Sequence, residues 1–149
     1  NTSITEINLS NNTLNAEAAK VLLDGIKDAK GALAKLDISK NYHSGEYSLS
    51  GDPSKGSEEF IRPIAGMLKT NKTIKELNLA GNNLNAEAAR IFSQDIHDNG
   101  ALAFLTMHKY KLPVKEIKIA KELDLSNKEL NSLDAIVIAA LIEVRTVSI

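Results

Sequence analysis

No cysteine occurs among the 149 residues. The chain therefore has no thiol nucleophile and no disulfide, which favours a reducing compartment; the expectation is an intracellular, cytoplasmic protein. No apolar run approaches the roughly 20 residues that a membrane-spanning helix needs, and no charged-then-apolar leader opens the chain. Charge of one sign is not in excess either. Lys and Arg number 18 against 19 Asp and Glu, a formal net charge of −1, whereas a nucleic acid or an anionic membrane calls for a clustered positive field. The one basic concentration, Lys109, Lys111, Lys115, Lys118 and Lys121, is interrupted by Glu116 and Glu122 and reads as solvated surface, with an acidic partner as the minority reading. Phosphate loops are missing, because Gly51-Asp-Pro-Ser-Lys-Gly56 lacks the Gly-x-x-x-x-Gly-Lys-Ser/Thr order. That same stretch has too few carboxylates for a calcium loop. His43, His97 and His108 lie too far apart for a histidine metal site. No catalytic group, cofactor or metal is expected.

What the chain does have is repetition. Ile4-Thr-Glu-Ile-Asn-Leu-Ser-Asn-Asn-Thr-Leu-Asn-Ala-Glu-Ala-Ala-Lys20 returns nearly unchanged as Ile74-Lys-Glu-Leu-Asn-Leu-Ala-Gly-Asn-Asn-Leu-Asn-Ala-Glu-Ala-Ala-Arg90. A fixed period takes precedence over local motifs in reading a fold. Ile4 to Leu33 is 29 residues and Ile74 to Leu102 is 28, while Leu33 to Ile74 is 41, one unit plus an insertion. Each unit opens on L-x-x-L-x-L-x-x-N-x-L: Ile4, Ile7, Leu9, Asn12 and Leu14, then Ile74, Leu77, Leu79, Asn82 and Leu84. Leu33, Leu36, Ile38 and Asn41 begin a third copy, with His43 in the last position. The alternation Ile7-Asn-Leu9 is the period of a strand buried on one face. A helical pattern follows, Ala18, Ala19, Leu22 and Ile26 in one unit and Ala88, Ala89, Phe92 and Ile96 in another. Asn15 and Asn85 stand where an N-cap belongs, and Gly31 and Gly100 where the chain reverses.

These units resemble the leucine-rich repeat family, in particular its ribonuclease-inhibitor-like class of 28–29-residue strand–helix repeats. The resemblance implies an α/β fold, a right-handed leucine-rich-repeat solenoid forming a horseshoe segment. Parallel strands would line the concave face and helices the convex one. It implies one domain over 1–149, with units at 4–32, 33–73 (carrying an insertion at 42–56), 74–101, a short atypical 102–119, and 120–149. Extracellular members usually close their ends with disulfide-bearing caps, which a chain without cysteine cannot form. A start at Asn1 with no cap reads as a piece of a longer protein or a weakly capped member. Buried Asn side chains are expected to satisfy backbone groups at the turn leaving each strand.

The last third departs from the pattern. Tyr110 replaces the Asn, Pro113 follows, and Leu105 to Leu123 is only 18 residues. An extended or 3₁₀ segment is expected over 113–120. Leu123-Asp-Leu125-Ser-Asn-Lys-Glu-Leu130 then restarts the motif as a fifth strand, and Asn131-Ser132 caps a helix from Leu133 to about Glu143. That helix is apolar on more than one face, so either the preceding repeat and the tail sandwich it or further repeats cover it.

Function on such a scaffold is surface recognition, and the expectation is a non-enzymatic, monomeric protein that binds another protein. Strand register predicts outward rows Glu6, Lys35, Glu76, Phe104, Glu122 and Asn8, Asp37, Asn78, Thr106, Asp124. Phe104 stands out as an aromatic in a charged row, where interface anchors are found. The alternative is that the short unit tilts and buries the ring. With Thr106, His108, Tyr110, Glu122 and Asp124 it makes the fourth and fifth strands the candidate partner site. Tyr42 and Tyr47 in the insertion are the second candidate. Outward residues such as Asn78 are expected to matter little for stability. A spacer or self-assembling segment of a longer array is the runner-up. Ran GTPase-activating proteins share this repeat class, but Arg62, Arg90 and Arg145 fall off the strands, so an activating role is the remotest reading.

Overall fold

The computed structural model describes residues 3–27, 31–41, 51–52 and 55–143. Tyr42, Tyr47 and most of the 42–56 insertion lie outside the described residues. Three strand–helix pairs come first: β1 (Glu6–Asn8) and α1 (Ala16–Lys27), β2 (Lys35–Asp37) and α2 (Gly56–Thr70), β3 (Glu76–Asn78) and α3 (Ala86–Ile96). Then follow β4 (Phe104–Thr106), β5 (Lys111–Pro113), α4 (Val114–Ile119) and α5 (Ser132–Ile142). The five strands form one sheet in sequence order, β1 to β4 parallel. Helix α1 packs on α2, α2 on α3, and α3 on α5.

Period-two alternation sets the layers. Leu36, Leu77, Leu105 and Leu112 are at most 1% exposed and are aligned with one another by the strand register. Burying each such side chain contributes roughly 1.5–3 kcal/mol. Their strand neighbours face the other way. From the helices, Leu23, Phe60, Ile61, Ile64, Leu68, Phe92 and Ile96 complete the core. The expected N-caps hold: Asn15 Oδ1 accepts from Ala18 N at 2.9 Å and Asn85 Oδ1 from Ala88 N at 2.8 Å. Both satisfy an otherwise orphaned helix donor.

The asparagine ladder is present. Asn41 Nδ2 donates to the carbonyls of Leu9, Ile38 and Ser39, and its Oδ1 accepts from Asn12 N and Leu14 N. Asn82 Nδ2 donates to Ile38 O and Leu79 O. Both residues are buried. A second asparagine pair, which the repeat pattern did not single out, turns the chain from helix into strand. Asn71 Oδ1 accepts from Thr73 N and Ile74 N, and Asn99 Oδ1 from Ala101 N and Leu102 N. Asn99 Nδ2 also reaches back to Leu68 O. Reversal therefore rests on these side chains and not on glycine: of the described glycines, Gly51 and Gly81 adopt positive φ, and Gly100 does not.

Beyond β4 the structure corrects the sequence expectation. Lys111–Pro113 is a strand that turns back antiparallel on β4, pairing Phe104 with Pro113, Leu105 with Leu112 and Thr106 with Lys111. Val114–Ile119 is an α-helix instead of an extended or 3₁₀ segment, with Val114 and Ile117 buried. With Tyr110 in the asparagine place the ladder has no next rung, and a short connection of the kind used by hairpins takes over. Since β5 occupies the far edge of β4, Leu123-Asp-Leu125 forms no strand, and Leu123 is 37% exposed. The turn of that lost repeat survives nonetheless. Asp124 Oδ1 accepts from Ser126 N as Asn78 Oδ1 does from Ala80 N. Asn127 and Glu129 adopt the positive φ of Gly81 and Asn83. Asn131 and Asp134 then form a reciprocal capping box that starts α5.

Candidate functional site

The open side of the sheet is where side chains converge without filling a core. Its register places Glu6, Lys35, Glu76 and Phe104 in one row and Asn8, Asp37, Asn78 and Thr106 in the next, as the strand frame predicts. Lys35 Nζ meets Glu6 Oε1 at 2.9 Å, and this hydrogen-bonded carboxylate holds the Lys35 ammonium above the ordinary lysine range. Lys111, delivered by the antiparallel strand, meets Glu76 Oε1 at 2.6 Å and stands 5.6 Å from the centre of the Phe104 ring. Together these rows line a shallow depression of about 290 Å³ whose walls include Glu6, Lys35, Asp37, Glu76, Asn78 and Lys111.

The second row serves the backbone as well as the surface. Asn8, Asp37 and Asn78 each accept from the N–H two residues on, and Asn78 Nδ2 bridges to Asp37 Oδ2 at 3.1 Å. Such turns fix the exit from each strand. Exposed ion pairs here contribute little stability, about 0–1 kcal/mol each; they present alternating charge at fixed positions.

Phe104 is 41% exposed, so the ring is not folded into the core by a tilt of its unit. It shares its face with Thr106, and Lys111 completes the cluster. Lys111 was legible only as part of a basic run; the alternation Lys111-Leu112-Pro113, with its central residue buried, carried the signal. His108 and Tyr110 sit apart, half-buried in the loop joining β4 to β5. His108 borders a hollow with Asn82, Met107 and Leu133, and Lys128 Nζ stands 5.5 Å from the Tyr110 ring centre. Glu122 and Asp124 are exposed but belong to the irregular segment before α5, not to a fifth strand beside Phe104. The basic run divides further: Lys118 Nζ donates to Ile96 O and Asn99 O, closing the end of α3. Burial pushes its ammonium below the ordinary lysine range. Among the described residues no three His, Asp or Glu side chains are grouped to hold a metal ion, and no helix is long and apolar enough to cross a membrane.

A leucine-rich repeat family model matches residues 1–23 and 70–90. These stretches hold β1 and β3 and run into the helices that follow them, α1 and α3. No curated protein sequence matches the chain. Among solved structures, the C-terminal domain of tropomodulin from Caenorhabditis elegans is similar at 14% identity and a TM-score of 0.40, with 95% of this chain and 84% of that one covered. That likeness is too loose to bear on function. Two stretches matched by the family model, and the same strand, buried asparagine and helix in the unit between them, support a leucine-rich repeat family for this chain.

Proposed function

We propose that the protein is a non-enzymatic interaction scaffold that binds another protein through the open face of its sheet, at Phe104, Thr106 and Lys111. In this reading the units curve as in the ribonuclease-inhibitor-like class, with that face concave, and the protein works as a monomer in the cytoplasm. The observation that carries it is Phe104: a large apolar ring exposed in a row of charged side chains, with a cation over it. Half-exposed aromatics with an adjacent cation are frequent interface anchors, because the ring is desolvated and the cation then acts in a lower dielectric. Glu6, Lys35 and Glu76 supply paired charges that fit a partner of mixed charge and set its register. His108 and Tyr110, at the rim of the same end, extend the surface, as do Glu122 and Asp124; Tyr42 and Tyr47 of the insertion stand as the second candidate. Affinity capture with wild type, Phe104→Ala and Arg90→Ala tests the reading. Phe104→Ala should weaken binding by about 2 kcal/mol or more with the fold intact, and Arg90→Ala, on the exposed side of α3, by less than about 0.5 kcal/mol. The reverse ranking would move recognition to the helices.

A further inference from the structure

On the helix side of the molecule a second hollow, of about 360 Å³, lies between α1 and α2. Lys20, Asp24 and Lys27 border it from α1 and Arg62 from α2, while Pro63, Gly66 and Met67 form the α2 flank. Pro63 lacks the N–H that a helix interior uses, and glycine is the poorest helix former after proline. Both residues weaken α2, and both stand on the flank that borders the hollow. A Cβ added at Gly66 would meet nothing within 4 Å, so no side chain closes the space there.

The next pair of helices provides an internal comparison. Aligned on the matching turns of Asn71 and Asn99, Pro63, Gly66 and Met67 of α2 correspond to Ile91, Gln94 and Asp95 of α3. In the same alignment Lys27 of α1 and Lys69 of α2 are equivalent, as are Lys20 and Arg62. Between α2 and α3 the lysine has its counter-ion, Lys69 Nζ pairing with Asp95 Oδ1 at 3.2 Å. Between α1 and α2 the place of that aspartate is held by Met67. Among the described residues Lys20, Asp24 and Lys27 have no hydrogen bond or ion pair. Arg62 has a carboxylate only at the limit of pairing, Glu58 Oε2 at 3.9 Å. Three cations thus border the hollow against one carboxylate.

We infer that the hollow between α1 and α2 is a docking site for an acidic helix of a partner protein, one that carries two carboxylates separated by an uncharged turn. Lys20 and Lys27 are about 10 Å apart along α1 at the rise of an α-helix, the span of positions i and i+7 on a partner helix. Lys20 and Arg62 stand at the same level of successive helices and hold the first acid between them; Lys27 takes the second. Asp24, midway, repels an acid at i+3 or i+4, and an aliphatic side chain there fills the space over Gly66. A nucleic acid has no such gap in its charge and would meet Asp24. The site is independent of the open face of the sheet, which lies across the core.

The probe is a fluorescein-labelled helical peptide with glutamates at i and i+7 and leucines at i+3 and i+4, titrated with the full chain and read by anisotropy. Saturable binding that weakens with added salt is expected. Lys20→Glu should weaken it about tenfold or more with the fold intact. Gly66→Gln, the side chain that α3 carries at this place, should abolish binding while Tm holds or rises. A second peptide with glutamate at i+4 should bind wild type less well, and Asp24→Asn should remove that difference. Phe104→Ala should leave the probe's affinity unchanged. Failure of the first peptide to bind would overturn the inference, as would binding that survives Gly66→Gln with Tm held. Equal affinity for unstructured polyglutamate or for a DNA duplex would reduce the hollow to a non-specific basic surface and overturn it too.

Discussion

The backbone N–H of Asn41 donates to Oδ1 of Asn82 at 2.7 Å across 41 residues of sequence. One buried side chain thereby ties the turn of one unit to the strand exit of the next. Replacing Asn82 with leucine adds apolar volume to a buried site, yet it leaves Asn41 N, Ile38 O and Leu79 O without this partner. Each orphaned group costs about 1–3 kcal/mol, so Asn82→Leu is expected to lower stability by at least that much in chemical denaturation. An unchanged or raised midpoint would remove the ladder from the account.

Leu79 and Asn78 are neighbours with different duties. Leu79→Ala empties a fully buried site and should cost about 2–5 kcal/mol. Asn78→Ala is not the near-neutral change that an outward position suggests, because it removes the acceptor for Ala80 N and the bridge to Asp37. A loss of about 1 kcal/mol is expected. Urea titration of both variants checks the order; equal losses would contradict the strand register.

Lys40 adopts φ 54° at the place in its turn where Gly81 adopts φ 70°. Left-handed backbone costs a non-glycine residue roughly 1–2 kcal/mol, and the looser unfolded chain of glycine takes back up to about 1 kcal/mol. Lys40→Gly should therefore raise stability by about 0.5 kcal/mol. Gly81→Ala should lower it, because its Cβ would come 2.9 Å from Lys40 Cγ in an already left-handed turn. The opposite signs, read from thermal melts, are the test.

Asp134 is 0% exposed, and its Oδ1 has no hydrogen-bond partner. Burial raises its carboxyl above the usual aspartate range, partly offset by the Asn131 N–H and the charge of His108. A raised folded value means that the native state holds the proton over a window where the unfolded chain has lost it. The contribution of Asp134 is then full below the unfolded value and falls as pH rises through the folded one. Asp134→Asn carries no such dependence. From acid toward neutral pH the wild type should lose stability relative to the variant, and parallel pH profiles would refute this.

The alternation and the recurring Asn12, Asn41 and Asn82 were enough to place four parallel strands, their register and the caps at Asn15 and Asn85. Those features depend on contacts between equivalent positions of successive units, and a repeat states them several times over. The hairpin was not legible, because whether Leu112 or Leu123 pairs beside Leu105 is a competition for one edge. The nearer segment wins at lower closure cost. For the same reason Phe104 was placed correctly while its companion Lys111 was not, and Glu122 and Asp124 were put on a strand that has no room to form. Asn71 and Asn99 carried a readable signal, three residues before Ile74 and Leu102, that the leucine pattern overshadowed.

The backward run of β5 also bears on how the chain finds its fold. Thr106 and Lys111 are only five residues apart and Phe104 and Pro113 nine, whereas the parallel pairs join residues 28 to 41 apart. Bringing ends together across 41 residues instead of nine costs about 1 kcal/mol more in chain entropy. The hairpin is thus the first pairing that diffusion can close at small loss, and β3, β2 and β1 can each add to an edge already standing. Assembly would then proceed against the direction of synthesis, from the β4–β5 hairpin toward β1, and Leu112→Ala would slow refolding more than Ile7→Ala does.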